Sequence, residues 1–365
     1  MLLAGGGTGG HVSPLLAVVE ALRERRPDAS FLFLGGRRGL EADLVPRAGI
    51  PFHATPMPSL RDPDSRLSLV ARAALLVPSV LDAVFQIARY RPEVCCTSGG
   101  LVALPIVLAA RIARVPVYLW EGNVVPGRVN RLLAGWSQRI GGTFEASRSF
   151  LPRGRTHVPG DPIRASLLRW RGADGRAALG LGEGPVVLVS GGSQGSERIN
   201  DAVLGALPQI LRRATVVHLT GGTHLGRAEA KRATLPKDLA ARYHAHTFLR
   251  DEMGAALAAA DIVVGRAGAS SIAEPLAFGK PLVLIPFGAA ASGHQLANAR
   301  AVQEAGAAEV IREGQLDSER LAAVVLGLLN DPPRLARMAA AAAALGRPDA
   351  AAIVADELMR LGKCA

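Results

Sequence analysis

Short apolar runs alternate with amphipathic or alanine-rich stretches along most of the chain. Runs of strand length, apolar at consecutive positions, predict strands buried on both faces, and the helical stretches between them predict the layers that cover the sheet. In the first half the pattern predicts strands at 31–34, 93–97 and 115–119, with helices at about 12–25, 66–90 and 102–113. The second half restarts with a stronger strand at 185–190, followed by strands at 214–219, 261–264 and 281–285. Helices are expected there at about 196–212, 271–278, 294–305 and 317–329. The expected class is α/β, with a parallel sheet in each half.

Both halves open alike. Ala4 to His11 follows the first short strand, and Ser190-Gly191-Gly192-Ser193-Gln194-Gly195 follows the strand that restarts the pattern. Each is a strand, a glycine turn and a helix. Pro159-Gly160-Asp161-Pro162 stops both strand and helix and is the expected linker, giving a first domain over 1–159. The first strand has only Met1 to Ala4, so it is either truncated or preceded by residues upstream of Met1.

At 365 residues the chain is long enough for two domains, and 49% hydrophobic residues exclude disorder. Aromatic residues make up only 4%, so alanine, leucine and valine must fill the cores. The net charge is +11, and it is uneven: residues 1–159 hold 19 basic against 11 acidic residues, and 160–365 hold 23 against 20. A basic first half suits an anionic membrane or a phosphorylated substrate, although an arginine-rich composition alone produces the same excess. Nucleic acid is disfavoured because the cations are scattered, with few aromatic residues among them to stack bases. Cys95, Cys96 and Cys364 make no disulfide framework, which points to a reducing compartment. No CxxC or HExxH spacing offers a metal site, and no basic and apolar leader opens the chain. The protein is expected in the cytosol or on the inner face of a membrane.

Gly5-Gly6-Gly7-Thr8-Gly9-Gly10 satisfies G-x-G-x-x-G, a spacing that lets backbone N–H groups meet an anion at a helix start. After the next strand a dinucleotide site needs an acid for the ribose; Gly36-Arg37-Arg38 stands there instead, which fits NADP but not NAD. That reading leaves the second glycine loop unexplained. His11 opens the first helix. It is either an ordinary surface histidine or, in a field that keeps it neutral, a general base. Gly265 to Glu274 repeats the small-residue helix start in the second half. Glu274 could accept from ribose hydroxyls or simply complement the helix end. His294-Gln295 opens a further helix after a loop of small residues.

Six blocks resemble the MurG family of bacterial peptidoglycan N-acetylglucosaminyltransferases, in order from residue 5 to about 311. They are Gly6 to His11; Glu121-Gly122-Asn123 with Pro126-Gly127 and Asn130-Arg131; Gly160 to Arg164; Gly191 to Gly195 with Asn200; Arg266 to Ala269 with Glu274; and His294-Gln295 with Asn298-Ala299. The resemblance implies a GT-B fold of two Rossmann-like domains facing across a donor cleft, the second spanning 160–345, with a helix in 346–365 returning to the first. It implies transfer of GlcNAc from UDP-GlcNAc to lipid I, with inversion, giving lipid II for peptidoglycan synthesis and hence for cell shape and division. Donor contacts are implied for Thr8, Gly9, Gly10 and Asn123, and from the second domain for Arg164, Ser193, Leu249, Ala269, Ser270, Ser271, Ile272, Ala273, Glu274 and Gln295. His11 matches a histidine proposed to act in catalysis, and Glu121 is the alternative base. No cofactor or metal is implied. The other partners implied are the anionic inner membrane, on whose cytoplasmic face the protein would sit peripherally, and other cell-wall synthesis proteins.

Three positions depart from the family pattern: Gly122 replaces a glutamine, Asp161 replaces an asparagine close to Arg164, and Pro275 follows Glu274, which obscures the helix start. Residues 66–91 interleave leucines, valines and Phe85 with Arg66, Arg72, Arg89 and Arg91. They read as a lipid-facing patch or as a core helix with solvated ends, split or kinked at Pro78. The rival functions are another GT-B sugar transferase, a UDP-GlcNAc epimerase, and a UDP-sugar-binding protein without activity.

Overall fold

A computed structural model describes residues 1–6, 9–37, 39–56, 76–192, 194–250, 252–288 and 293–363. The chain divides into two units: Met1–Arg164 together with Asp349–Ala365, and Ala165–Pro348.

The first unit is a parallel seven-stranded sheet in the order β3-β2-β1-β4-β5-β6-β7. Its strands are β1 (Leu2–Ala4), β2 (Leu32–Gly36), β3 (Phe52–Thr55), β4 (Cys95–Thr97), β5 (Val117–Glu121), β6 (Arg139–Gly142) and β7 (Thr156–His157). The central strands are apolar at consecutive positions because both faces are covered. Leu3, Phe33 and Cys96 pack on one face, against α1 (Gly9–Arg25). Leu2, Leu34 and Cys95 pack on the other. Around the sheet follow α2 (Glu41–Arg47), α3 (Leu76–Tyr90), α4 (Ala103–Ile112) and α5 (Arg128–Trp136). The helix expected over 66–90 is helical from Leu76; residues 57–75 lie outside the described residues. Pro78 is the third residue of α3, and the split or kink expected there involves residues outside the described ones.

The second unit repeats the plan with six parallel strands in the order β10-β9-β8-β11-β12-β13. These are β8 (Val186–Ser190), β9 (Thr215–Leu219), β10 (Tyr243–His246), β11 (Ile262–Gly265), β12 (Leu282–Leu284) and β13 (Ala308–Val310). The main helices are α6 (Glu197–Ile210), α7 (Leu225–Ala233), α8 (Met253–Ala259), α9 (Ala269–Ala277), α10 (His294–Glu304), α11 (Ser318–Leu329) and α12 (Pro332–Leu345). On β9 the fully buried His218 joins Tyr243 Oη (2.9 Å) to Asn200 Oδ1 (3.0 Å), and burial lowers its pKa to about 4. It is therefore a neutral core group.

The last helix, α13 (Ala350–Lys363), belongs to the first unit. Val354, Ala355 and Leu358 join the cluster around α1, while Asp356 pairs with Arg25 (2.9 Å) and Glu357 with Arg139 (3.2 Å). Residues Pro332–Lys363 have the length and hydropathy of a membrane span. They fold instead as two helices broken at Gly346-Arg347-Pro348, each belonging to a different unit.

The division falls at 164/165 and 348/349, not at 159/160 and 345/346. Gly160 is tied into the first sheet, its N–H donating to Gly142 O (3.2 Å) and its carbonyl accepting from Trp120 Nε1 (3.3 Å). Gly346 lies hard against the Leu276 carbonyl, where a side chain would collide, which keeps it with the second unit. The strands missed by the apolar pattern were β3, β6, β7, β10 and β13. Four of these are the sheet edges, and β6 next to an edge carries Gly141 and Gly142. Edge strands are covered on fewer sides and need no continuous apolar run.

Candidate active site

In each sheet the strand order reverses once, between β1 and β4 and between β8 and β11. In open parallel sheets ligands bind beyond the carboxyl ends of the strands at that point. Both glycine loops of the sequence leave the sheet there.

In the first unit, Gly9 and Gly10 form the first turn of α1, and Gly7 and Thr8 lie outside the described residues. His11 follows, with Nδ1 at 3.0 Å from the Ser98 carbonyl in the loop after β4. A carbonyl only accepts, so Nδ1 carries the proton of the neutral ring and Nε2 keeps its lone pair. Burial lowers the pKa of the ring, against the opposing pull of the Ser98 carbonyl and the Glu41 charge. His11 is thus held neutral, with a free acceptor nitrogen.

The Ser98 loop is itself braced. Gly99 and Gly100 both have φ of +79°, and a side chain at Gly99 would collide with the Asn130 amide. Gly100 N–H donates to Asn130 Oδ1 (2.9 Å), and Asn130 Nδ2 donates to Glu121 Oε2 (2.8 Å). Glu121 Oε1 accepts from the Asn123 backbone N–H (2.8 Å) and from Asn123 Nδ2 (3.1 Å). Both oxygens of this buried carboxylate therefore accept hydrogen bonds. It positions Asn123 and Asn130. Arg164 ends this unit with an exposed side chain, while Asp161 is buried.

In the second unit the loop after β8 holds Gly192 (φ +94°) and Gly195 (φ +79°), with Ser193 outside the described residues. A side chain at Gly195 would strike the Thr220 carbonyl, and one at Gly221 the Gln194 carbonyl, so the two backbones pack directly. Beside this loop Gly268 caps α9 with no side-chain hydrogen bond, which leaves the helix N–H groups of the Ala269 turn without a side-chain acceptor. Ser270 Oγ is buried and has no hydrogen-bond partner. Ser271 is exposed, Ile272 and Ala273 are buried, and Glu274 is half-buried in the second turn. Pro275 lies inside α9, so the helix starts at Ala269 regardless, at the cost of one hydrogen bond to the exposed Ser271. Leu249 is buried in the loop after β10, and Gln295 Oε1 accepts from the Phe287 N–H (2.9 Å).

Arg266 clamps these loops. It donates to Ser196 Oγ at the cap of α6 (2.7 Å) and to the Ile285 carbonyl (3.3 Å), pairs with Glu313 (2.6 Å), and stacks over Phe287 at 5.0 Å. Burial opposes the charge on Glu313, but the Gly288 N–H and Arg266 outweigh it and hold the carboxyl below its usual value.

Comparison with known proteins fits this geometry. Models of the glycosyltransferase family 28 N-terminal and C-terminal domains match residues 1–141 and 186–354. A protein of Desulforudis audaxviator named UDP-N-acetylglucosamine–N-acetylmuramyl-(pentapeptide) pyrophosphoryl-undecaprenol N-acetylglucosamine transferase is 37% identical over 373 residues, covering 99% of this chain and 98% of the relative. The chain belongs to the MurG family of glycosyltransferases. Its fold is GT-B. The crystal structure of Acinetobacter baumannii MurG superposes with a TM-score of 0.77 at 25% identity, covering 98% of this chain and 99% of that one. A UDP-GlcNAc 2-epimerase from Neisseria meningitidis also superposes, with a TM-score of 0.67, but at 14% identity over 98% of this chain and 99% of that one it shares the fold alone.

Two cavities lie away from these loops. One of about 560 Å³ is lined by Trp170, Phe278 and Lys280, and one of about 410 Å³ by Arg111, Trp136 and Arg155. Lys280 Nζ donates to the Ala258 carbonyl (2.9 Å) and Arg155 to the Gly135 and Ser137 carbonyls, so these cations serve the protein's own backbone. Among the described residues no group of His, Cys, Asp and Glu is arranged to hold a metal. Sequence reading missed Ser98 and Glu41; the Gly99-Gly100 pair after a strand was the available signal for the first.

Proposed function

We propose that the chain transfers GlcNAc from UDP-GlcNAc to the 4-hydroxyl of MurNAc in undecaprenyl-pyrophosphoryl-MurNAc-pentapeptide, with inversion at the anomeric carbon. The observation that carries the chemistry is the His11 Nδ1 hydrogen bond to the Ser98 carbonyl, which leaves Nε2 as an acceptor at the switch point of the first sheet. The acceptor hydroxyl gives its proton to Nε2 as its oxygen bonds to the anomeric carbon. On the opposite face the bond from that carbon to the diphosphate breaks, and UDP leaves with the electron pair. Its charge is met by the N–H groups opening α9, by Ser270, by the Gly191–Gly195 loop with Ser193, and by Arg164. These groups supply the positive field, so the reading assigns no metal or cofactor to the protein. Thr8, Gly9, Gly10 and Asn123 would meet the donor from the first unit, and Leu249, Ala269, Ser271, Ile272, Ala273, Glu274 and Gln295 from the second.

Glu274 should hold ribose hydroxyls. Glu274→Ala is expected to weaken UDP binding by about 1–3 kcal/mol in calorimetry, the range for hydrogen bonds to a charged group. Unchanged affinity would remove Glu274 from the site. Measuring UDP release with and without a lipid I analogue tests the reaction. Release that depends on the acceptor supports the transferase, and its absence leaves an epimerase or a binding protein.

The reading also puts the protein on the cytoplasmic face of the membrane, through α3. That helix buries the small residues Ser79 and Ala83 with Ile87, and exposes Val77 (62%), Leu81 (65%) and Phe85 (61%) one turn apart. Arg89 and Arg91, also exposed, follow at its end. An apolar stripe beside arginines suits anionic lipid. Binding to phosphatidylglycerol vesicles should fall as salt rises, and Leu81→Ser with Phe85→Ser should abolish it while UDP affinity stays unchanged. Equal vesicle binding by the variant and wild type would overturn this assignment.

A further inference from the structure

A run of buried polar side chains in the second unit ends at the glycine loop after β8. Asn200, at the end of the first turn of α6, donates from Nδ2 to the Thr220 carbonyl at 2.9 Å, and its Oδ1 lies 3.0 Å from His218 Nε2. His218 Nδ1 lies 2.9 Å from Tyr243 Oη on β10. All four residues are buried. One assignment of hydrogens satisfies the whole run. A carbonyl only accepts, so the amide nitrogen of Asn200 faces Thr220 and its oxygen faces the ring. Nε2 then carries the ring proton, and Nδ1 accepts from the Tyr243 hydroxyl. Burial keeps the ring neutral, so it holds that single proton.

The run meets the glycine loop at the Thr220 carbonyl. Backbone fixes the strand side of this turn: the Thr220 N–H donates to the His246 carbonyl (2.9 Å) and the Gly221 N–H to the Thr247 carbonyl (3.0 Å). The Thr220 carbonyl stands against Gly195, where any side chain would collide with it, and the Gln194 carbonyl stands in the same way against Gly221. No side chain lies between to absorb a shift, so a displaced Thr220 carbonyl displaces the loop. His218 is otherwise set among buried apolar residues of β9, Val216, Val217 and Leu219, where an aliphatic side chain would pack without two ring nitrogens to satisfy. We propose that His218 and Tyr243 are positioning residues for the donor loop: through Asn200 they hold the Thr220 carbonyl, and with it the backbone at Gln194 and Gly195, at the spacing that the diphosphate of UDP requires. This rests on the reading of that loop as part of the donor site.

The length of the run matters, because hydrogen bonds in series polarise one another and each strengthens the next. Breaking it in the middle leaves Asn200 Oδ1 and the Tyr243 hydroxyl buried without a partner. Asn200 is then free to turn its amide away from Thr220, and the loop loses its support.

Two full-length variants test this by UDP calorimetry and donor kinetics. His218→Leu removes both ring nitrogens and keeps the site filled. Its UDP affinity should fall roughly tenfold and its donor KM rise by a similar factor, the effect of one buried group left unpaired. Its kcat at saturating donor should stay within about threefold of wild type, because His11 belongs to the other unit. His218→Gln, whose amide can donate to Asn200 and accept from Tyr243, should recover most of the affinity. A His218→Leu protein that melts lower but binds UDP as the wild type does would show a purely structural role and overturn the proposal. So would a His218→Gln protein that binds no better than His218→Leu. Should His218→Leu not fold, the wild type decides through the ring nitrogen resonances of His218: Nε2 must carry the proton, and both nitrogens must shift when UDP binds, although the ring is closed off from solvent. A proton on Nδ1, or resonances unmoved at saturating UDP, overturns the proposal. Failure of the underlying reading looks different, because the wild type itself would then bind no UDP.

Discussion

Replacing His11 with alanine should lower kcat by roughly 10²–10⁴ and leave the affinity for UDP near that of wild type. The size follows from the role: proton removal from the attacking hydroxyl is lost, but the donor groups of the second unit remain. The pH profile adds a sign. Burial depresses the His11 pKa below the ordinary histidine value, so the wild-type rate should hold as pH falls through the ordinary histidine range and drop only at more acid pH, where the ring protonates. The variant should lack that limb. Were His11 instead a ligand of the diphosphate, UDP affinity would fall and kcat at saturation would be spared. A kcat within a few-fold of wild type would end the assignment and make Glu121, which accepts from Asn123 and Asn130, the next base to test.

The second large effect is expected at Arg266. Its side chain and that of Glu313 are each only 11% exposed. Arg266→Ala would leave a nearly enclosed carboxylate without its ion-pair partner, and would release the cap of α6 and the Ile285 carbonyl together. Breaking such a pair costs roughly 3–5 kcal/mol. The second unit should therefore melt about 10 °C lower. UDP affinity should fall as well, because the loops after β8, β11 and β12 meet at this guanidinium. Adding Glu313→Gln should restore part of the stability, since the stranded charge goes with it. A melting temperature unchanged in Arg266→Ala would show that the loops hold themselves.

Those outcomes depend on residues that were not equally legible in the chain. The glycine loops were readable because their requirement is local: positive φ at Gly192 and Gly195, and the close approach of backbone at Gly191 and Gly195, suit glycine and strain other residues. The apolar strands at the sheet centres were readable because burial on both faces leaves no alternative composition. The edges were not, since Thr156–His157 and Tyr243–His246 have no pattern of their own and are strands only because a neighbour offers them hydrogen bonds. The partners of His11 were hidden for a related reason. A serine carbonyl 87 positions away contributes through its backbone, which no residue type advertises. Arg266 stood in a recognisable block, but its contacts with Ser196, Ile285 and Glu313 come from three separate stretches.

The return of α13 to the first unit has a consequence for how the molecule is made. In sequence, the second unit is an insert: residues 165–348 leave and re-enter a domain that begins at Met1 and resumes at Asp349. On the ribosome the inserted domain is complete, with its own sheet and core, while the first still lacks Val354, Ala355 and Leu358 against α1. The later domain in the chain can therefore reach its native state first, and the one that carries His11 closes its core only as the final helix emerges.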